Sequence, residues 1–116
     1  MAKSPNRINT VVKNLLTSLE ARGIKVNKLI LYGSHASGKP GPDSDIDIAV
    51  ISKSFDKKGL LKRQELLGEA IFQLRERVEL IGYGYEELQR APSLTFLSEI
   101  LSKGKVVYEE ERPIRT

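Results

Sequence analysis

Alternating apolar and polar residues predict two strands between residues 29 and 52, with carboxylates where a strand is usually apolar. A short apolar run at residues 29–31 ends at Gly33. After a loop, residues 46–50 alternate, so Asp45 and Asp47 share one face while isoleucine and valine side chains take the other. Two carboxylates about 7 Å apart on one face repel each other, and aspartate is depleted in strands. A divalent metal ion is the simplest way to offset that repulsion, which makes this pair the main candidate for a functional site.

Helical periodicity predicts three longer helices elsewhere in the chain. The first, over residues 5–22, has an apolar stripe of Ile8, Val11, Val12, Leu15, Leu16 and Leu19. The second, over residues 60–75, has an inner side of Leu60, Leu67, Ala70, Ile71 and Leu74. In the third, capped by Ser93 and ended by Gly104, the stripe is Leu94, Leu97, Ile100 and Leu101.

Strands are expected at residues 26–32, 46–52, 77–83 and 105–109, with short helical turns at 34–38 and after Gly84. This order of helices and strands predicts an α/β or α+β sandwich. The loop between the first two strands leaves their relative direction open, although it is short enough for a hairpin-like pair.

The composition indicates one small domain over residues 1–116. A hydrophobic content of 40% in 116 residues suits a single modest core. The chain has no cysteine, no apolar run long enough for a membrane span and no signal-peptide pattern at its start, so a cytoplasmic protein without a membrane partner is expected. The net charge of +4 favours anionic ligands but is too mild to indicate a nucleic-acid substrate.

The glycine-rich loop after the first strand permits two chemical interpretations. Residues 33–39 match the spacing of a phosphate-binding GxxxxGK loop, but Pro40 stands where that motif needs a serine or threonine. Proline removes both the hydroxyl and a backbone N–H, so this interpretation is disfavoured. In the other, Gly33 lets a phosphate approach the backbone, Ser34 offers a hydroxyl, and Asp45 and Asp47 hold Mg²⁺ or Mn²⁺ across the loop.

The second interpretation leads to a resemblance. The chain resembles the minimal nucleotidyltransferases of the DNA polymerase beta superfamily in two segments, Gly33-Ser34-x-Ala36-x-Gly38 and Ser44-Asp45-Ile46-Asp47. The resemblance implies a small mixed β-sheet with helices packed on one side. It also implies a metal-dependent enzyme that transfers a nucleoside monophosphate from a nucleoside triphosphate and releases pyrophosphate.

The resemblance also implies roles for individual residues. Gly33 and Ser34 would contact the triphosphate, with Ser44 and Lys39 as further candidate nucleotide contacts. Two metal ions would be bound by the catalytic carboxylates Asp45, Asp47 and Glu79, the last of which would activate the acceptor hydroxyl. Two positions depart from the family pattern and bear on activity. Glu79 replaces the usual aspartate, and Ser37 replaces an arginine, a loss for which Lys39 is the nearest replacement.

The length of the chain bears on which molecule accepts the transferred nucleotide. A domain of 116 residues leaves no room for the segments with which polymerases grip nucleic acid. The stand-alone form resembles the antitoxin of two-gene modules whose partner is a small helical HEPN-domain toxin. This resemblance implies transfer of AMP from ATP to a tyrosine of the toxin. Two alternatives stay open: an inactive antitoxin that masks its partner by binding, and a transferase acting on a small hydroxylated compound. The oligomeric state is also open.

Overall fold

A four-stranded mixed sheet lies at the centre of the structure. The computed structural model describes residues 5–38, 45–72, 74, 76–90 and 95–110. Within these ranges the strands are β1 (Lys28–Tyr32), β2 (Ile46–Ser52), β3 (Val78–Gly84) and β4 (Lys105–Glu109), in the order β3-β2-β1-β4. The mixed sheet with helices confirms the predicted fold class.

The pairing of the strands settles the direction that the sequence leaves open. β1 runs antiparallel to both β2 and β4, whereas β2 and β3 are parallel. In this register Tyr32 pairs with Asp47, and Asp47 pairs with Glu79. Three polar residues from three strands therefore form one row across the sheet.

The helices occur where the periodicity predicts them. They are α1 (Pro5–Ala21), α2 (Ser34–Ser37), α3 (Leu60–Ile71), α4 (Tyr85–Gln89) and α5 (Phe96–Lys103). α3 is shorter than predicted, since it ends at Ile71 instead of residue 75. The predicted cap Ser93 and Leu94 lie outside the described residues, and Thr95 caps α5 by accepting a 3.1 Å hydrogen bond from the Ser98 N–H. Among the described helices, none combines the length and apolar content that crossing a membrane requires.

The main core lies between one face of the sheet and the two long helices, as the resemblance implies. α1 supplies Leu15 and Leu19, α3 supplies Leu67, and the sheet supplies Leu29 and Ile48, all at most 1% exposed. A smaller apolar cluster covers part of the opposite face, where Ile100 of α5 meets the sheet residues Ile30, Ala49 and Ile51. Leu101, predicted to share the α5 stripe, is 40% exposed because α5 buries Leu97 and Ile100 instead.

The first turn of α3 corrects another prediction. Leu60 was expected on the inner side, but it is 65% exposed. Arg63 takes the inner position, with a side chain that is only 11% exposed and an ion pair to Glu87. Its guanidinium also donates hydrogen bonds to the carbonyls of Lys58 (2.8 Å) and Gly82 (3.3 Å). A long arginine side chain can bury its stem while its head is fully paired, and this excludes Leu60 from the core.

Truncating the core should cost far more stability than truncating the surface. Leu29→Ala removes a fully buried side chain from a strand with neighbours on both sides, so the free energy of unfolding should fall by about 2–5 kcal/mol. The matched variant Leu61→Ala removes a side chain that is 85% exposed and should change it by less than about 0.5 kcal/mol. Urea unfolding of both variants measures the difference, and similar losses would contradict this assignment of the core.

Candidate active site

The row formed by Tyr32, Asp47 and Glu79 lies on the face of the sheet opposite the main core. Strand alternation decides this placement, because Ile48 and Leu80, the next residues along β2 and β3, point into the core. Asp47 is half-buried and Glu79 is exposed. The fold thus joins two carboxylates that are distant in the sequence, and Glu79 takes the face that the sequence predicts for it.

The Glu79 carboxyl group lies close enough to Asp47 to affect the pKa of Asp47. The pKa of Asp47 is raised above its ordinary value, chiefly because burial penalises the charged form, then because Glu79 adds negative charge and a hydrogen bond. Asp45 raises it further, and the charge of His35 lowers it. Two carboxylates that lie side by side and are partly buried repel each other, and a shared proton or a bound cation relieves that repulsion.

Asp45 lies one residue before β2 and is paired with an arginine that the sequence does not point to. Nε of Arg77 lies 3.0 Å from Oδ1 of Asp45. That oxygen is buried and has no hydrogen-bond partner, so the contact with Arg77 is one of charge only. Parallel pairing of β2 with β3 brings the two residues together, since the Ile46 N–H donates a 2.8 Å hydrogen bond to the Arg77 carbonyl.

The carboxylates have the chemistry of a site for a hard divalent cation. Oxygen ligands with excess negative charge are those that Mg²⁺ and Mn²⁺ prefer, and Asp45 has a buried oxygen without a hydrogen-bond partner. In the described ranges, however, no three carboxylate or imidazole side chains are already gathered as a metal-binding group. Asp47 and Glu79 are neighbours in the register of β2 and β3, while Asp45 forms an ion pair with Arg77. Asp45 would be available as a metal ligand only if this ion pair opened, and the Arg77 side chain, which is 69% exposed, has solvent beside it.

The loop after β1 brings the Gly33 backbone close to the Asp47 carboxylate, whereas the approach of a phosphate to Gly33 stays a prediction. Gly33 has φ 74° and ψ −154°, a conformation that is almost restricted to glycine. A Cβ atom at this position would lie 2.4 Å from Oδ2 of Asp47. The helical turn predicted at residues 34–38 is confirmed as α2, and Ser34 is half-buried at its start. Lys39 and Ser44 lie outside the described residues, so their predicted roles stay predictions.

Tyr32 is a site neighbour that sequence analysis missed. Burial, followed by the charges of Asp47, Tyr83 and Glu79, raises the pKa of the Tyr32 hydroxyl to about 12, so it stays protonated at neutral pH. Its ring meets Phe96 of α5 edge to face, with centroids 5.7 Å apart. Tyr32 could be assigned to the site only once the antiparallel register of β1 and β2, which pairs it with Asp47, was known.

Removing the charge of Asp47 should stabilise the metal-free protein at neutral pH. The pKa of Asp47 is higher in the folded protein than in the unfolded chain, where an ordinary aspartate has a pKa of 3.8. Protonation of Asp47 therefore stabilises the folded wild type. This stabilisation is complete below the unfolded pKa and is lost as the pH rises through the folded pKa. Asp47→Asn avoids that loss, and we expect a gain of several tenths of a kcal/mol at neutral pH. Urea unfolding in a chelator should show the gain shrinking towards about pH 4. A stability gain that does not change with pH would show that the charge of Asp47 does not destabilise the folded protein.

Comparison with known proteins identifies the fold. The family model described as "Polymerase beta, Nucleotidyltransferase" matches residues 13–113. A candidate nucleotidyltransferase from Sulfolobus solfataricus has a TM-score of 0.66 at 17% identity, with 94% of this chain and 92% of that chain covered. This second likeness concerns the fold alone. Among curated proteins, no relative matches.

Structures of toxin–antitoxin complexes are also similar. One, a toxin–antitoxin with AMP-PNP, has a TM-score of 0.60 at 25% identity and covers 85% of this chain and 73% of that chain. In another, a tri-AMPylated HEPN toxin of Shewanella oneidensis is bound to its MNT antitoxin; the TM-score is 0.54 at 23% identity, with 88% and 73% covered. The likeness to the second complex concerns the fold alone. The family match extends over most of the chain, so the chain belongs to the polymerase beta nucleotidyltransferase family.

Proposed function

We propose that the protein transfers AMP from ATP to a hydroxyl of a HEPN-type toxin, most simply a tyrosine, and thereby acts as an antitoxin. The observation that carries the proposal is the pairing of Asp47 with Glu79 on adjacent strands, beside the Gly33 loop. The carboxylate pair lies next to the backbone of Gly33, and a residue with a side chain could not come so close. The similarity to MNT antitoxins in complexes with HEPN toxins supports the choice of partner.

In this proposal the triphosphate and the acceptor would bind on opposite sides of Asp47. Gly33 and Ser34, on the β1 side, would face the triphosphate, while Glu79, on the β3 side, would face the acceptor. The acceptor oxygen forms a bond to the α-phosphorus as the bond from that phosphorus to the bridging oxygen of pyrophosphate breaks. The hydroxyl proton passes to the Glu79 carboxylate.

Asp45, Asp47 and Glu79 would hold Mg²⁺ or Mn²⁺. When bound, such ions offset the negative charge of the triphosphate and of the leaving pyrophosphate. The protein's own part is to keep three carboxylates at one end of β2 and β3 and to present the loop backbone to them. Arg77 is paired with Asp45 and would have to give up this ion pair for Asp45 to serve as a metal ligand.

The test is AMP transfer to a partner protein. We would incubate the protein with ATP, Mg²⁺ and a HEPN-domain toxin that forms a complex with it, and follow the intact mass of the toxin. The expected result is a gain of one or more adenylyl groups on tyrosine, absent when ATP or Mg²⁺ is left out. An unchanged partner mass, with the complex formed and the nucleotide bound, would overturn the proposed transfer.

Binding without catalysis is the second candidate, and the Asp45–Arg77 ion pair favours it. In this pair the charge of Arg77 offsets that of Asp45, a proposed metal ligand, without any metal ion. A masking antitoxin with both Asp45→Asn and Asp47→Asn would still protect cells that express the toxin. An antitoxin that acts by transfer would lose this protection, so a growth assay separates the two functions.

A further inference from the structure

A cavity of about 380 Å³ opens beside the proposed triphosphate loop. It lies between the end of β1, α2 and α5, and two of its lining residues, Gly33 and Ser37, belong to the loop itself. A single ligand could therefore occupy both the cavity and the loop. Apart from Gly33, the residues that line it have no role in the transfer as proposed above.

The wall of the cavity facing the loop is aromatic. Phe96, the first residue of α5, is 53% exposed although phenylalanine is usually buried. Its ring stands at 87° to that of Tyr32, with the centroids 5.7 Å apart, so the Tyr32 contact orients the exposed ring. The apolar side chain of Ile100 also lines the cavity. A planar, aromatic ligand is the type of molecule that such a surface binds.

The sheet order decides which planar group this is. Asp47 lies on β2, with β3 and the proposed acceptor base Glu79 on one side, and β1 with the cavity on the other. An acceptor tyrosine must approach from the Glu79 side. The nucleoside of the donor, joined to the triphosphate at Gly33, must extend away from it, which is towards α5.

The rim of the cavity offers polar groups for a base edge. Glu99 and Lys103 form an ion pair of 3.0 Å across one turn of α5, and both line the cavity. A carboxylate can accept a hydrogen bond from an exocyclic amino group, and an ammonium can donate one to a ring nitrogen or carbonyl. Nucleobases with an amino group carry both kinds of partner on one edge.

We propose that this cavity binds the nucleobase of the donor nucleotide, with the Phe96 ring as the surface on which the base stacks. The inference rests on the proposed nucleotidyl transfer, since it extends the same site. It assigns a binding role to α5, a helix that lies outside the Gly-Ser and Asp-x-Asp motifs.

The test compares a nucleotide with a ligand that has phosphates but no base. Calorimetry with Mg²⁺ would measure the affinity for AMP-PNP and for inorganic tripolyphosphate in wild type, Phe96→Ala and Phe96→Tyr. Loss of stacking on one aromatic side chain should weaken AMP-PNP binding by about tenfold to a hundredfold in Phe96→Ala. Phe96→Tyr should retain the affinity, and tripolyphosphate binding should not change in either variant.

A matched control is Phe72→Ala, which removes a phenylalanine that is 88% exposed at the end of α3 and does not line the cavity. It should bind both ligands as the wild type does. If Phe96→Ala weakens neither ligand, or both equally, the nucleobase assignment is overturned while the proposed transfer stands. If the wild type binds neither ligand, the proposed function is overturned, and this inference with it.

Discussion

Asp47→Asn should lower the rate of AMP transfer by at least about a thousandfold while leaving the protein folded. The carboxylate lies between Glu79 and the Gly33 loop, so its loss removes the central ligand of the proposed metal set. Stabilisation of transition-state charge at such a site is worth several kcal/mol, and each 1.36 kcal/mol corresponds to a factor of ten in rate. Transfer of radioactive label from α-labelled ATP to the partner protein measures the effect over this range.

The control for this prediction removes a carboxylate from elsewhere. Glu69→Gln changes an exposed side chain on α3 by one charge and should leave the transfer rate within about twofold of wild type. Urea unfolding of Asp47→Asn, which we expect to be more stable than wild type at neutral pH, tests whether misfolding causes the loss of transfer. Near-normal transfer by Asp47→Asn would show that the carboxylate takes no part in the chemistry and would favour the masking antitoxin.

The face of the site was predictable because strand alternation is a local property. Asp47 between two isoleucines, and Glu79 between valine and leucine, can only point away from the core that those residues form. Gly33 was likewise marked by its place after an apolar run. Each of these predictions needs only a few neighbouring residues, and the structure places Asp47, Glu79 and Gly33 together.

The neighbours of the site were not predictable, because the sequence pattern does not encode which strands pair. A half-buried strand has the same period of two whether its neighbour is parallel or antiparallel. The contact of Arg77 with Asp45 depends on the parallel pairing of β2 with β3, and that of Tyr32 with Asp47 on the antiparallel pairing of β1 with β2. The cavity wall at Phe96 further requires α5 to pack against β1.

The inner face of α3 shows a different limit. Periodicity places Leu60 and Leu67 on one side of the helix, since residues seven apart nearly coincide in direction. Arg63 lies on the same side, and its charge is satisfied by Glu87 and by two backbone carbonyls. A pattern of apolar and polar letters counts this arginine as surface, although its partners make it part of the interior.

Gly33→Ala should impair both stability and transfer. At φ 74° and ψ −154° a residue with a side chain is strained by about 1–3 kcal/mol. The added Cβ would also lie 2.4 Å from Oδ2 of Asp47, so the carboxylate must move. A displacement of about 1 Å at a reacting centre can cost about a hundredfold in rate, which is the loss expected for AMP transfer. Urea unfolding and the label-transfer assay measure the two effects on the same preparation.

Gly38→Ala separates the displacement of Asp47 from backbone strain. Gly38 also has positive φ, 79°, but a Cβ there would meet nothing within 4 Å. Its left-handed conformation is one that alanine can adopt at a cost of about 1–2 kcal/mol. We therefore expect Gly38→Ala to lose stability but to keep transfer within about threefold of wild type. Equal losses of transfer in the two variants would mean that the loop conformation alone controls activity. A selective loss in Gly33→Ala would show that this glycine is needed because Asp47 occupies the space of its missing side chain.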